Sequence, residues 1–94
     1  MARIHIQRTH RRSISAMRRV AEDVARRIEQ RHAVSWHWLG DTMELAAAAG
    51  GARGSVTIGD GDVAIEIHLP LALSPVRRMV ERTVAAKLDA LLAA

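Results

Sequence analysis

Hydrophobic and polar residues alternate with a period of two at the start of the chain and again through its middle. The first alternation places three apolar residues on one side, Ala2, Ile4 and Ile6. Four further runs lie between positions 34 and 69 and are separated by three glycine-containing pairs, Gly40-Asp41, Gly50-Gly51 and Asp60-Gly61. Alternation of this kind is typical of β-strands, and such pairs are typical of two-residue hairpin turns. The pattern therefore predicts one short strand and, later, a four-strand meander.

The registers of the three hairpins support one another. With two-residue turns, each hairpin pairs apolar residues with apolar residues: Trp38 with Met43, Leu45 with Val56, and Ile58 with Val63. A slip of one residue in any hairpin would move an apolar row to the polar face of the sheet. We therefore expect Trp36 and Trp38 to lie on the covered face and to fill core volume.

Two other segments repeat apolar residues every three or four positions, which predicts amphipathic helices. The first follows Ser13 or Ser15, either of which can cap it, and its stripe is Ile14, Met17, Val20, Val24 and Ile28. The second is expected to have Ser74 as its cap and Pro75 at its first position. Its stripe is Val76, Val80, Val84, Leu88 and Leu91.

Together these elements predict a single α+β domain over residues 1–94, in the order β-α-β-β-β-β-α. Both helices need the same apolar face of the sheet. We expect the first strand to pair with the last, which gives a curved antiparallel five-stranded sheet with two helices packed on one face. This arrangement is similar to a reduced helix-grip fold by analogy.

Composition agrees with a soluble, cytoplasmic protein. The chain has 94 residues, of which 49% are hydrophobic and 26% charged, and it has no cysteine. The alternating start predicts no secretory signal, and no run is long enough for a membrane span. Positive charge is concentrated before position 33, where nine arginines outnumber three acidic residues, while positions 33–73 are acidic. Such a split can steer an anionic partner or can belong to solvated helix faces.

Residues for catalysis, metal binding or cofactor binding are not predicted. The glycines fall at hairpin turns instead of before a helix, so no phosphate loop is indicated. The serines are assigned to helix starts or to the outer sheet face. His5, His37 and His68 share that outer face, but His37 is expected several strands away from the other two, which argues against a shared metal ion. The sequence thus favours a binding protein over an enzyme.

Candidate partner-binding residues lie in two basic segments and one apolar loop. Arginines of the first helix are poor candidates, because three i,i+4 ion pairs are expected to provide them with partners within the helix: Arg18–Glu22, Glu22–Arg26 and Asp23–Arg27. The remaining candidates are Arg8, His10, Arg11, Arg12, Arg77 and Arg78, which we expect to flank Leu71 and Leu73. The two leucines form either an exposed apolar patch or ordinary core beneath the helix end.

Several segments resemble the polyhydroxyalkanoic acid system family over nearly the whole chain. They are Ile4-His5-Ile6-Gln7-Arg8-Thr9-His10, Trp38-Leu39-Gly40-Asp41-Thr42-Met43, Gly54-Ser55-Val56, Leu71-Ala72-Leu73-Ser74-Pro75 and Lys87-Leu88-Asp89. The resemblance implies a bacterial cytoplasmic protein associated with polyhydroxyalkanoate storage, acting at the granule surface or on granule-associated proteins. It supplies no catalytic residues.

Three alternatives stay open at this point. The basic residues could bind nucleic acid, although the absence of exposed aromatic stacking platforms makes this less favourable. An acyl chain could bind between the sheet and the second helix, although we expect a core this small to leave little room. A homodimer could form through small side chains of the outer sheet face, Ala46, Ala48, Ser55, Thr57 and Ala64.

Overall fold

The fold follows the predicted order of strands and helices. The computed structural model describes residues 2–48 and 51–93. The elements are β1 (Ala2–Thr9), α1 (Ile14–Arg31), β2 (Val34–Leu39), β3 (Thr42–Ala47), β4 (Arg53–Ile58), β5 (Asp62–Leu69), a 3-10 turn (Leu71–Val76) and α2 (Arg77–Ala93).

The strands form one open antiparallel sheet in the order β1-β5-β4-β3-β2. β1 pairs with β5 along its whole length, from Ala2 opposite Leu69 to Thr9 opposite Asp62. This confirms the prediction that the first strand joins the last. Because β1 and β2 are the two edges, the helix between them must cross the width of the sheet.

Two of the three predicted hairpins are confirmed and one is wrong. Trp38 lies opposite Met43 and Ile58 lies opposite Val63, as expected. In the second hairpin, however, Leu45 lies opposite Gly54 instead of Val56. The amide of Ala47 donates to the carbonyl of Ala52 at 3.0 Å, so the connection spans positions 48–51. Of the predicted turn pair Gly50-Gly51, the first residue lies outside the described residues.

The wrong register leaves the assignment of the two sheet faces intact. The pairing is displaced by two residues, which is one full period of side-chain alternation. Met43 now lies opposite Val56, so an apolar residue still meets an apolar residue on the covered face. The faces therefore depend on parity, while the register depends on the length of the loop.

One helix start is as predicted and the other is not. The Ser13 hydroxyl accepts a hydrogen bond from the amide of Ala16 at 3.1 Å and caps α1. Ser74 and Pro75, by contrast, lie inside the 3-10 turn, and α2 begins at Arg77. The chain turns at once after Pro70, whose carbonyl accepts from the amide of Leu73 at 2.9 Å. This early turn leaves Ser74 no position as a helix cap.

The core lies between the covered face of the sheet and the two helices. Its buried members include Ile4, Ile6, Met17, Ile58, Val63, Leu69 and Leu88. They come from β1, β4, β5 and both predicted helical stripes. The apolar face proposed from alternation is therefore confirmed.

Trp38 joins α1 to the sheet through polar contacts as well as packing. Its Nε1 donates to the Glu22 carboxylate at 2.7 Å, and the Arg18 guanidinium lies 4.1 Å from the ring centroid. Arg18 also donates to Asp41 at 3.0 Å. The predicted Arg18–Glu22 and Glu22–Arg26 pairs are replaced by these contacts, because the tryptophan and the hairpin turn lie within reach of the helix. The predicted Asp23–Arg27 pair is present at 3.0 Å.

Trp36 shares the covered face with Trp38 but has no comparable polar partner. It lies opposite Leu45 and is half-buried. Its indole Nε1 is buried and has no hydrogen-bond partner among residues 2–48 and 51–93. Both tryptophan side chains thus lie on the covered face of the sheet, as predicted, and neither is available for stacking with a base.

His10 fastens the end of β1 to the turn between β4 and β5. The side chain is buried, and its Nε2 lies 3.1 Å from the carbonyl oxygens of both Gly59 and Asp62. Since carbonyls accept, Nε2 carries the proton. Nδ1 then accepts from the amide of Arg12 at 3.1 Å. This predicted partner-binding residue is therefore occupied within the fold.

Replacing His10 with Ala is expected to lower the free energy of unfolding by about 2–3 kcal/mol, because buried backbone groups lose their partner. Urea denaturation measures the change. His5→Ala is the matched control, since His5 is exposed on the outer face and should change stability by less than about 0.5 kcal/mol. Equal effects of the two substitutions would contradict the assigned role of His10.

Candidate functional site

An apolar groove of about 320 Å³ lies between α1, α2 and the covered face of the sheet. The α1 wall includes Val20, Val24 and Ile28, and the α2 wall includes Val84, Leu88 and Leu91. The floor is formed by strands β3, β4 and β5, with Leu45, Gly54, Val56 and Ile67 among its residues. The lining is almost wholly apolar, which is a property of sites for hydrophobic ligands.

The groove exists because the helices are held over different parts of the sheet. The main contacts of α1 are with β2 and β4, whereas those of α2 are with the opposite edge strand, β1. Arg18 ties α1 to the first hairpin turn through the Gly40 carbonyl and Asp41. Arg8 of β1 pairs with Asp89 of α2 at 2.8 Å. The space between the two helices is consequently not closed by side chains.

Gly54 leaves the middle of the groove floor without a side chain. It lies opposite Leu45 on one neighbouring strand and Ile67 on the other, so its missing side chain would point into the groove. A Cβ placed there would meet only the Glu66 carbonyl oxygen, at an ordinary contact distance of 3.5 Å. Neither backbone conformation nor crowding therefore requires glycine at this position.

This cavity corrects the expectation that the core of so short a chain leaves little room for a pocket. That expectation rested on the length of the chain, and the sequence indicated only that both helical stripes cover the same face of the sheet. The two stripes face the sheet from opposite sides of the groove, and several of their residues, such as Ile28, stay partly exposed. Cavity volume here depends on helix spacing and not on chain length.

A second depression, of about 560 Å³, is lined by residues of the predicted basic site together with a threonine and a leucine: Thr9, His10, Arg11, Arg12 and Leu92. Although its volume is larger, only five residues form it, and the side chains of two of them, His10 and Arg12, are engaged by backbone groups. The Arg12 guanidinium donates to the Leu91 carbonyl at 2.9 Å, where a cation also opposes the negative end of the helix dipole. The groove is therefore the better-formed candidate site.

The eight predicted partner-binding residues do not form one surface. Arg8 and Arg12 contact the last turns of α2, whereas Arg77 and Arg78 begin that helix. The two ends are about 20 Å apart at 1.5 Å per residue. The first basic group thus does not flank Leu71 and Leu73, because β1 runs alongside α2 and carries that group to the far end.

The leucines of the 3-10 turn are exposed and are not core. Leu71 is 76% exposed and Leu73 38%, and Met79 of α2 adds a third apolar side chain at 62%. Sequence reasoning proposed the two leucines but missed Met79 as a surface residue, since it adjoins the helical stripe. Leu69, just before the turn, is buried and fixes the position of this segment.

The outer sheet face carries pairs of histidine and glutamate. His5 approaches Glu66 at 3.4 Å and His37 approaches Glu44 at 3.3 Å, on strands well separated in the sheet. Among the described residues, no three histidine, aspartate or glutamate side chains are grouped closely enough to hold a metal ion. These contacts are cross-strand pairs of a wet sheet face.

Replacing Gly54 with Val is expected to raise the urea midpoint, by the equivalent of about 0.5 kcal/mol, because strand interiors disfavour glycine. The valine side chain would enter open space in the groove. A matched substitution on the outer face, Ser55→Val, reports strand propensity alone. A marked loss of stability for Gly54→Val only would show that the groove is filled.

Comparison with known proteins matches the chain to a family model. Neither curated proteins nor solved structures match the chain. Within residues 2–48 and 51–93, no helix is both long and apolar enough to cross a membrane. The matching model is described as "putative polyhydroxyalkanoic acid system protein" and covers residues 4–92. The chain therefore belongs to the polyhydroxyalkanoic acid system family, as its sequence segments indicated.

Proposed function

We propose that this chain is a non-catalytic binding module of the polyhydroxyalkanoate system and that its groove takes an aliphatic hydroxyacyl chain. The observation that carries the proposal is the groove itself, which is apolar on both walls and on its floor. Family membership supplies the chemical class, since a polyhydroxyalkanoic acid is built from hydroxyacyl units. The same ligand chemistry occurs in a free hydroxy acid and in a chain end at the granule surface.

The dimensions of the groove suit a medium-length chain. A cavity of about 150 Å³ in a protein core accepts benzene, so about 320 Å³ accommodates on the order of ten carbon atoms. Ligand pockets usually start near 300 Å³. A short hydroxyacyl unit would leave much of the groove uncovered, whereas a chain of eight to ten carbons would cover both walls.

Lys87 offers a position for the polar end of such a ligand. It is the α2 residue that lines the groove and is also largely exposed, so its aliphatic stem adds to the wall while the ammonium group reaches water. An ammonium group at the rim of an apolar site favours a carboxylate over a neutral group. This arrangement supports binding of a free acid with its chain in the groove.

Binding, and not turnover, is what this site supports. The groove walls provide dispersion contacts and exclusion of water, and the polar residues of the lining are few: Arg53, Ser55 and Lys87. We propose that the protein acts in the cytoplasm, either by holding hydroxyacyl chains or by contacting chain ends at the granule surface.

In a titration with 3-hydroxydecanoic acid, we expect saturable binding that depends on chain length. Each methylene should contribute about 0.8 kcal/mol, so 3-hydroxyoctanoic acid should bind about fifteenfold more weakly. Isothermal titration calorimetry measures both affinities. An affinity that does not change with chain length would contradict a groove site.

The variant that tests location is Gly54→Leu, whose side chain should block the middle of the groove and strongly weaken binding while the protein stays folded. Gly54→Ala is the matched control, because one methyl group leaves most of the volume free. Retention of the wild-type protein on purified polyester granules would identify chain ends at the granule surface as a ligand. Binding of 3-hydroxydecanoic acid without such retention would identify the free acid as the ligand. Wild-type binding by Gly54→Leu would refute the proposal.

A further inference from the structure

The 3-10 turn and the first turn of α2 form an exposed apolar tip at one end of the molecule. We define the tip by its three large apolar side chains, Leu71, Leu73 and Met79, which are 76%, 38% and 62% exposed. Large exposed apolar side chains that lie close together along the chain, as on this turn and the helix start that follows it, are unusual without a partner and mark interaction sites.

The tip is held firmly by the fold. The turn contacts both β1 and β5, and Leu69 at its base is 5% exposed. The Leu73 amide donates to the Pro70 carbonyl at 2.9 Å, which fixes the turn that carries the leucines. The apolar side chains are therefore presented on an ordered base and need little ordering when they bind.

Arginines outnumber acidic residues beside the tip, where Glu81 is the one acidic residue on the first two turns of α2. Arg77, Arg78 and Arg82 lie on the first two turns of α2, are exposed, and make no ion pair within residues 2–48 and 51–93. Arg8 and Arg18, by contrast, are paired with carboxylates at the other end of the sheet. Three arginines against one glutamate leave a net charge of +2 on these two turns, where the apolar side chains are exposed.

From this combination we infer that the tip inserts into an anionic lipid surface. The leucines and the methionine would enter the boundary between headgroups and acyl chains, and the three arginines would contact anionic headgroups. Apolar insertion without charge would select no particular lipid, and charge without insertion would be lost in salt. The geometry points to both acting together at one surface.

This inference is independent of ligand binding in the groove, although the two sites lie close together. Arg53, which lines the groove, lies opposite His68, the residue before Leu69 at the base of the tip. Docking of the tip would therefore bring that end of the groove toward the lipid surface. A hydroxyacyl chain could then be taken up or delivered there.

Sedimentation with lipid vesicles tests the tip directly. We expect wild-type protein to bind vesicles that contain phosphatidylglycerol and to bind pure phosphatidylcholine vesicles at least tenfold more weakly. Addition of 0.5 M NaCl should weaken the binding to phosphatidylglycerol vesicles. Leu71→Asp should reduce binding more than tenfold. Removal of two charges by Arg77→Gln and Arg78→Gln together should reduce binding about 25-fold, since each basic residue near the surface contributes about fivefold.

Matched controls come from exposed residues elsewhere on the molecule. Leu39 on the edge strand β2 is 59% exposed, so Leu39→Asp tests any exposed leucine, and Arg19→Gln with Arg26→Gln tests any two helix arginines. Both controls, and Gly54→Leu, should bind vesicles as wild type does. Absence of wild-type binding, equal binding to neutral vesicles, or equal losses in the controls would overturn the inference. Unchanged binding of 3-hydroxydecanoic acid by Leu71→Asp keeps the two proposals separable.

Discussion

Polar contacts that draw the two helices toward opposite edges of the sheet are the constraint on which the groove depends. Arg18 and Glu22 fix the first helix against Trp38 and the Gly40-Asp41 turn. The second helix is drawn to the other edge by Arg8 and Arg12. If the helices met at the centre, apolar contact would close the space. Apolar surface exposed to water is unfavourable by about 25 cal/mol per Å². A ligand that covers the groove therefore gains the free energy of burial that the separated helices do not obtain from each other.

Parity of side chains was predictable from sequence, whereas the exact register of one hairpin was not. Alternation assigns Met43 and Val56 to the covered face under either register, because a shift of two residues preserves the face. Alternation alone does not determine how many residues connect β3 to β4, because a connection longer by two residues keeps the same faces. The start of the second helix escaped prediction for a similar reason. Ser74 and Pro75 fit a helix cap equally well as they fit a tight turn that begins earlier.

The groove and the division of the arginines could not be read from local sequence. The helical stripes identify which residues face the sheet, but not how far apart the helices lie. Arg8 is engaged by a carboxylate 81 residues away, and Arg12 by a carbonyl 79 residues away. Arg77 and Arg78 have the same chemistry but lie at the other end of α2, and neither forms an ion pair within the described residues, although Glu81 follows one turn later. Only the fold distinguishes a structural arginine from one that is free to bind.

The central claim is that an aliphatic hydroxyacyl chain lies between the two helices. Isotope-filtered NMR measures this most directly, through nuclear Overhauser effects between unlabelled 3-hydroxydecanoic acid and methyl groups of the labelled protein. The account predicts contacts from one bound chain to Val24 of α1 and to Val84 and Leu88 of α2. Contacts confined to Leu71 and Leu73, with no effect at either groove wall, would contradict it.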